Sequence, residues 1–275
     1  MKRRSFVTLL GLAPFALSIP RIGIATPRGV AQGSPPRILI LVELGGGNDG
    51  LNTLVPFSNP AYYSARPGLS IASDSVLRLS DDLGMNPALE GLMGSWSAGD
   101  FAVVLGVGYP EPNRSHFRSI DIWETASGSG LVEGRGWISQ LVEGGLGSSE
   151  RLADGVVLGS TDVGPLAGAG TRALVMEDAE QFVLRAARLR LPPESSGEGA
   201  ALSHLLSVQT DVVDASRALR ARVSRGPELL TDFPRDAFGE QLRTAALLVA
   251  ARVPVTAIKV TLGGFDTHAN QRASH

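Results

Sequence analysis

The sequence has no cysteine. Disulfides and thiolate metal sites are therefore excluded, and any metal must be held by carboxylate, imidazole, amide or hydroxyl groups. Aromatic residues are scarce, at 5% of the chain against 43% hydrophobic content overall, so the core must be largely aliphatic. Basic blocks are missing beyond the N-terminus and the formal charge is -2, which leaves nucleic-acid binding without an electrostatic footing. No stretch after the N-terminal segment reads as a stable membrane span. Glycine, by contrast, is abundant, at 33 of 275 residues, and marks a loop-rich surface. A chain of this length can bury a sizeable core as one large domain or two small ones.

The N-terminus reads as an address. "MKRRSFVTLLGLAPFALSIPRIGIA" carries Lys2, Arg3 and Arg4 ahead of an apolar stretch that is short and interrupted by Gly11 and Pro14, as in a cleaved export signal. The Arg pair, spacer and Phe6 of "KRRSF" resemble the twin-arginine signal; the alternative is a general secretory signal with incidental arginines. Residues 1–25 are thus expected to be a signal peptide and 26–36 a linker, followed by a domain over 37–275. Loss of Lys2, Arg3, Arg4 and Arg21 with no acid leaves the remainder more acidic. The expected location is periplasmic or extracellular, with the twin-arginine export machinery as a partner.

Along the rest of the chain, strand-like and helix-like segments alternate. Near-continuous apolar runs at 37–44, 101–107, 155–159, 172–176 and 255–262 predict strands buried on both faces. Helices are predicted from Asn86 and Pro87 onward, after Ser115, over 201–223 and over 238–252, from start signals and apolar spacing. The alternation predicts an α/β fold, a three-layer α/β/α sandwich around a mostly parallel sheet. The segment 192–199, "PPESSGEG", reads as a solvated loop.

Three polar clusters follow predicted strands: "GGGNDG" after 37–44, "GYPEPNRSHFRS" after 101–107 and "GGFDTH" after 255–262. In an open parallel sheet the carboxyl ends of the strands share one edge, where ligands bind, so the three can converge. Gly45, Gly47 and Gly50 match the spacing of a dinucleotide loop. That motif needs a helix starting at the third glycine, however, and "LNTLVPFSNP", with Asn52, Thr53, Val55 and Pro56, disfavours one. Asp49 then becomes the residue of interest, a carboxylate presented by a glycine turn and suited to a hard divalent cation. Asp266 and His268, two apart, project to one side of an extended segment, a plausible ligand pair for zinc or manganese.

Ser115 stands at a predicted helix N-terminus, where backbone N–H groups and a partial positive charge favour an anion. Each residue also has a plainer reading. Ser115 can be an N-cap and Asp49 a turn residue. Asp266 and His268 can bond each other, Arg114 and Arg118 can be surface charges, and His116 either lines an anion pocket or flanks it.

Together "LGGGNDGLNTLVP", "NPAYYSARP", "VGYPEPNRSHFRSIDIWETA" and "GGFDTHANQ" resemble the bacterial exported family known as domain of unknown function 1501, within the alkaline phosphatase-like superfamily; the likeness runs from about residue 37 to the end. The resemblance implies an α/β/α sandwich with divalent metal ions (zinc, manganese or calcium) beside a nucleophile, and phosphate or sulfate esters as substrates. Carried onto this chain, it makes Asp49, Asp266 and His268 metal ligands and Ser115 the nucleophile, attacking in line with metal assistance. Arg114, His116 and Arg118 become substrate-binding residues. With no cysteine to become formylglycine, a sulfatase of the usual type is disfavoured. Relatives continue past the block resembling "GGFDTHANQ" with further Asp and His blocks, so the resemblance also implies a C-terminally truncated chain. The alternative function is a non-catalytic exported anion-binding or scaffold protein.

Overall fold

A computed structural model describes residues 37–146, 151–189 and 200–274. The signal peptide and linker expected over 1–36 lie outside the described residues, as does the loop expected at 192–199. In chain order the described strands are β1 (Leu39–Leu44), β2 (Leu54–Val55), β3 (Leu77–Arg78), β4 (Gly84–Met85), β5 (Gly155–Leu158), β6 (Ala173–Met176) and β7 (Ala257–Leu262). The α-helices are α1 (Gly50–Thr53), α2 (Pro60–Ala65), α3 (Met93–Ala98), α4 (His116–Thr125), α5 (Trp137–Leu141), α6 (Ala179–Ala186), α7 (Ala200–Val223), α8 (Ala237–Ala250) and α9 (Gln271–Ser274).

The fold is α/β. Four strands form a parallel sheet in the order β1-β7-β5-β6, and a small antiparallel sheet has the order β2-β4-β3. Side chains of the central strands divide by alternation. Val156, Leu158, Ile258 and Val260 enter one apolar cluster with Leu219 of α7 and Ala245 and Leu248 of α8. Val157 and Ala257 enter a second with Ile138 of α5 and Leu166. Helices therefore cover both faces, which is why these strands read as continuous apolar runs rather than alternating ones. Where β5 ends, the amide of Gln241 on α8 takes over the edge of β7: Thr261 N–H donates to its Oε1 at 2.8 Å, and its Nε2 donates to the Thr261 carbonyl at 3.2 Å.

Three sequence expectations are corrected. The apolar run at 101–107 is not a strand; it lacks ladder pairing, and Val104 is 78% exposed. Apolar content alone does not supply the neighbouring strand that backbone groups require. A helix does begin at Gly50, against expectation, but it is a single turn, ended by extended Leu54–Val55 and by Pro56. The remaining strand predictions coincide with β1, β5, β6 and β7 to within two residues at each end, and 201–223 and 238–252 are α7 and α8; β1 and β6, however, are the sheet's edges and are not buried on both faces, since Leu39, Ile40, Val42 and Val175 are exposed. Asn86 accepts from Ala88 N–H at 2.9 Å and opens a 3-10 turn over Pro87–Leu92, which continues into α3.

Candidate functional site

Neighbouring strands place two of the three polar clusters together. β1 and β7 pair in register through Leu44 and Leu262. Pairing continues one step further, Gly45 N–H donating to the Leu262 carbonyl at 2.8 Å, so "GGGND" and "GGFDTH" leave the sheet side by side. Glycine is needed at this exit. Gly46 has φ +113°, and a Cβ there would lie 2.7 Å from the Asp266 amide nitrogen. At Gly47 a Cβ would meet Cε1 of the His116 ring at 3.3 Å. The first loop is thus pressed against Asp266 on one side and His116 on the other.

The third cluster reaches this point through α4. Tyr109 fastens the preceding loop: its hydroxyl is 2.7 Å from Ser119 Oγ and accepts from Asn113 N–H at 3.0 Å. Asn113 Oδ1 in turn accepts from Ser115 N–H at 2.8 Å. This chain of bonds fixes the start of α4, whose first residue is His116.

His116, Asp266 and His268 meet there. Asp266 Oδ1 lies 2.9 Å from His268 Nε2 and 3.3 Å from His116 Nε2, and one ligand atom from each residue falls within a 4.8 Å span. The imidazole rings stand nearly perpendicular, with centroids 6.2 Å apart. All three residues are exposed, so the cluster opens to solvent. Two imidazoles and one carboxylate form a donor set suited to zinc, with coordination positions left for water or substrate.

The other expected site residues are placed differently. Asp49 stands outside this trio; its carboxylate is engaged by the Arg66 guanidinium and the Gln271 side-chain amide and is only 14% exposed. The turn around it is internally bonded, with Thr53 Oγ1 donating to Asn48 Oδ1 at 3.1 Å and buried Asn52 bridging the Leu69 carbonyl and the Tyr62 hydroxyl. Ser115 occupies the N-cap position of α4, yet its side chain makes no capping hydrogen bond. Arg118 donates to the backbone carbonyls of Ser129 and Leu131, with Asp121 3.9 Å away, and so serves the loop after α4. Arg114 is exposed. His116, expected among substrate-binding residues, is brought instead into contact with Asp266, one of the expected metal ligands.

Sequence reasoning missed a second polar group beneath the site. Lys259, on the central strand β7, is almost wholly buried, with Nζ 2.9 Å from Glu43 Oε2 and 3.3 Å from Glu124 Oε1. It also donates to the Asp162 carbonyl at 3.3 Å. Burial raises the Glu124 carboxyl above its ordinary range, the Lys259 charge only partly opposing this. Burial alone would lower the lysine, but its hydrogen bond and charge interaction with Glu43, and the charges of Glu124 and Asp162, outweigh that and raise it. The available signal was a charged residue inside each apolar run, Lys259 in "VTAIKVTL" and Glu43 in "RILILVEL". Buried charge in a strand requires partners. No described helix is long and apolar enough to cross a membrane. No family model matches the chain, and searches of curated proteins and of solved structures find no significant match.

Proposed function

We propose that the protein is an exported, metal-dependent hydrolase of phosphate or sulfate esters, with a divalent cation held by His116, Asp266 and His268. One observation carries this reading: ligand atoms from the first residue of α4 and from the loop after β7, about 150 residues apart in sequence, converge within 4.8 Å of one another at the carboxyl edge of a parallel sheet. The same placement supports an alkaline phosphatase-like arrangement of the domain. The donor set favours zinc over calcium, which prefers an all-oxygen shell.

Bound there, the cation supplies Lewis acidity towards an ester oxygen. The protein's own contributions are distinct. Asp266 lies between the two imidazoles and holds both in reach of one point. Ser115 directly precedes a ligand, at the N-terminus of α4, with its hydroxyl uncommitted to capping; it is the nucleophile in this reading. Asp49 orders the first loop through Arg66 and Gln271 rather than joining the trio. A purely anion-binding role has less support, because Arg118 is turned towards backbone carbonyls.

The test is hydrolysis of an aryl phosphate and an aryl sulfate by the zinc-loaded full chain. Ser115→Ala is expected to lower turnover by a factor on the order of a hundred or more while zinc binding is retained. Unchanged turnover would remove Ser115 from the reaction, and no turnover with bound zinc would contradict the hydrolase reading.

A further inference from the structure

His116 has a second neighbourhood. Besides contacting Asp266 it lines a cleft of about 560 Å3 between α4 and the sheet, whose other lining residues include Trp123, Trp137, Glu43 and Glu124. We infer that this cleft is a binding site for an organic ammonium group, the alcohol portion of an ester whose anionic phosphate or sulfate group sits at the His116 cluster. The inference rests on the proposed ester hydrolase for the second half of that statement only; the ammonium site stands on the cleft itself.

The cleft's chemistry selects the charge of its occupant. Ile120, Leu41, Leu44 and Pro165 supply apolar wall, and two indoles supply π faces. Trp123 is half exposed, so part of its ring surface is accessible without rearrangement. Indole is the aromatic group that attracts cations best. At the buried end, Glu43 and Glu124 share the single ammonium of Lys259, so the ionised group carries one surplus negative charge. No arginine or lysine is among the described residues lining the cleft. An anionic group would meet two carboxylates with no exposed counter-charge, and a neutral alkyl group would gain wall contacts but nothing from the acids. A quaternary or primary ammonium gains from both the indoles and the acidic end.

The arrangement also sets polarity along the ligand. The anionic part belongs at the solvent-open end with His116 and the cationic part towards Glu43 and Glu124, so an amino-alcohol ester matches the site end to end.

The experiment uses the full chain in the presence of chelator, with choline as the probe and its uncharged isostere 3,3-dimethylbutan-1-ol as the comparison. Binding is followed by tryptophan fluorescence and by calorimetry. Saturable choline binding, at least about fivefold tighter than the isostere and weakened at least about fivefold by Trp123→Ala, is expected from the scale of a cation–π contact. No saturable choline binding, equal affinity for the isostere, or a Trp123→Ala variant that binds choline unchanged would overturn the inference. Because metal is absent from these titrations, their failure leaves the metal site untouched, and failure of zinc binding leaves the ammonium site untouched.

Discussion

Replacing Lys259 with Met tests how the polar group beneath the site is balanced. Met fills similar volume with no charge, leaving Glu43 and Glu124 facing each other with 26% and 12% of their side chains exposed. Removing one partner of a buried ion pair costs about 3–5 kcal/mol, because the remaining charge has lost its compensation. The lower end applies here, since Glu43 keeps contact with water and a bond from Thr261 Oγ1 at 3.3 Å. With a urea slope of about 2–3 kcal/mol/M, the unfolding midpoint is expected to fall by about 1–2 M.

The pH dependence follows from the directions of the shifts. Both groups have folded pKa values raised above their ordinary ones, Glu124 from 4.5 and Lys259 from 10.5, so the folded state holds both protons more tightly. Lys259's contribution is complete below 10.5 and is lost as pH climbs through its higher folded value. Ionising Glu124 in its buried setting costs stability as pH rises from 4.5 through its folded value. In Lys259→Met the lysine no longer opposes that rise, so the deficit is largest at neutral pH and shrinks towards acid. Adding Glu43→Gln and Glu124→Gln should recover most of the loss. A midpoint unchanged by Lys259→Met, or a deficit that does not shrink on acidification, would refute this account.

Two further outcomes can be measured directly. Gly46→Ala places a Cβ 2.7 Å from the Asp266 nitrogen at φ +113° and is expected to cost about 1–3 kcal/mol in urea unfolding and to weaken zinc binding; Gly50→Ala, with open space around it, should change stability by less than about 0.5 kcal/mol. Changing both Arg3 and Arg4 to Lys is expected to leave the precursor in the cytoplasm on cell fractionation, and undiminished export would assign it to the general secretory route.

β5 and β7 were readable in the sequence because a strand covered on both faces has no polar side to break the run. The same pattern misled at 101–107, where Val104, Leu105 and Val107 are apolar but exposed. Asp266 and His268 were readable as a pair, since a spacing of two after a strand puts both on one side. The partnership of His116 was not. It depends on Gly47 allowing the first loop to approach the ring and on the Tyr109 hydroxyl fixing the start of α4, neither of which has a fixed sequence spacing. Asp49 was selected for its glycine setting, but Arg66 and Gln271 reach it from distant parts of the chain.

The most direct measurement is a zinc titration of the full chain and of His116→Ala, Asp266→Ala, His268→Ala and Asp49→Asn. The account predicts one zinc per chain. Each alanine variant should bind at least about tenfold more weakly, since even changes in residues that merely orient metal ligands cost about 10–100-fold, and Asp49→Asn should retain the stoichiometry. Zinc binding that survives loss of His116 and Asp266, or that is abolished by Asp49→Asn alone, would contradict the assignment of the metal to His116, Asp266 and His268.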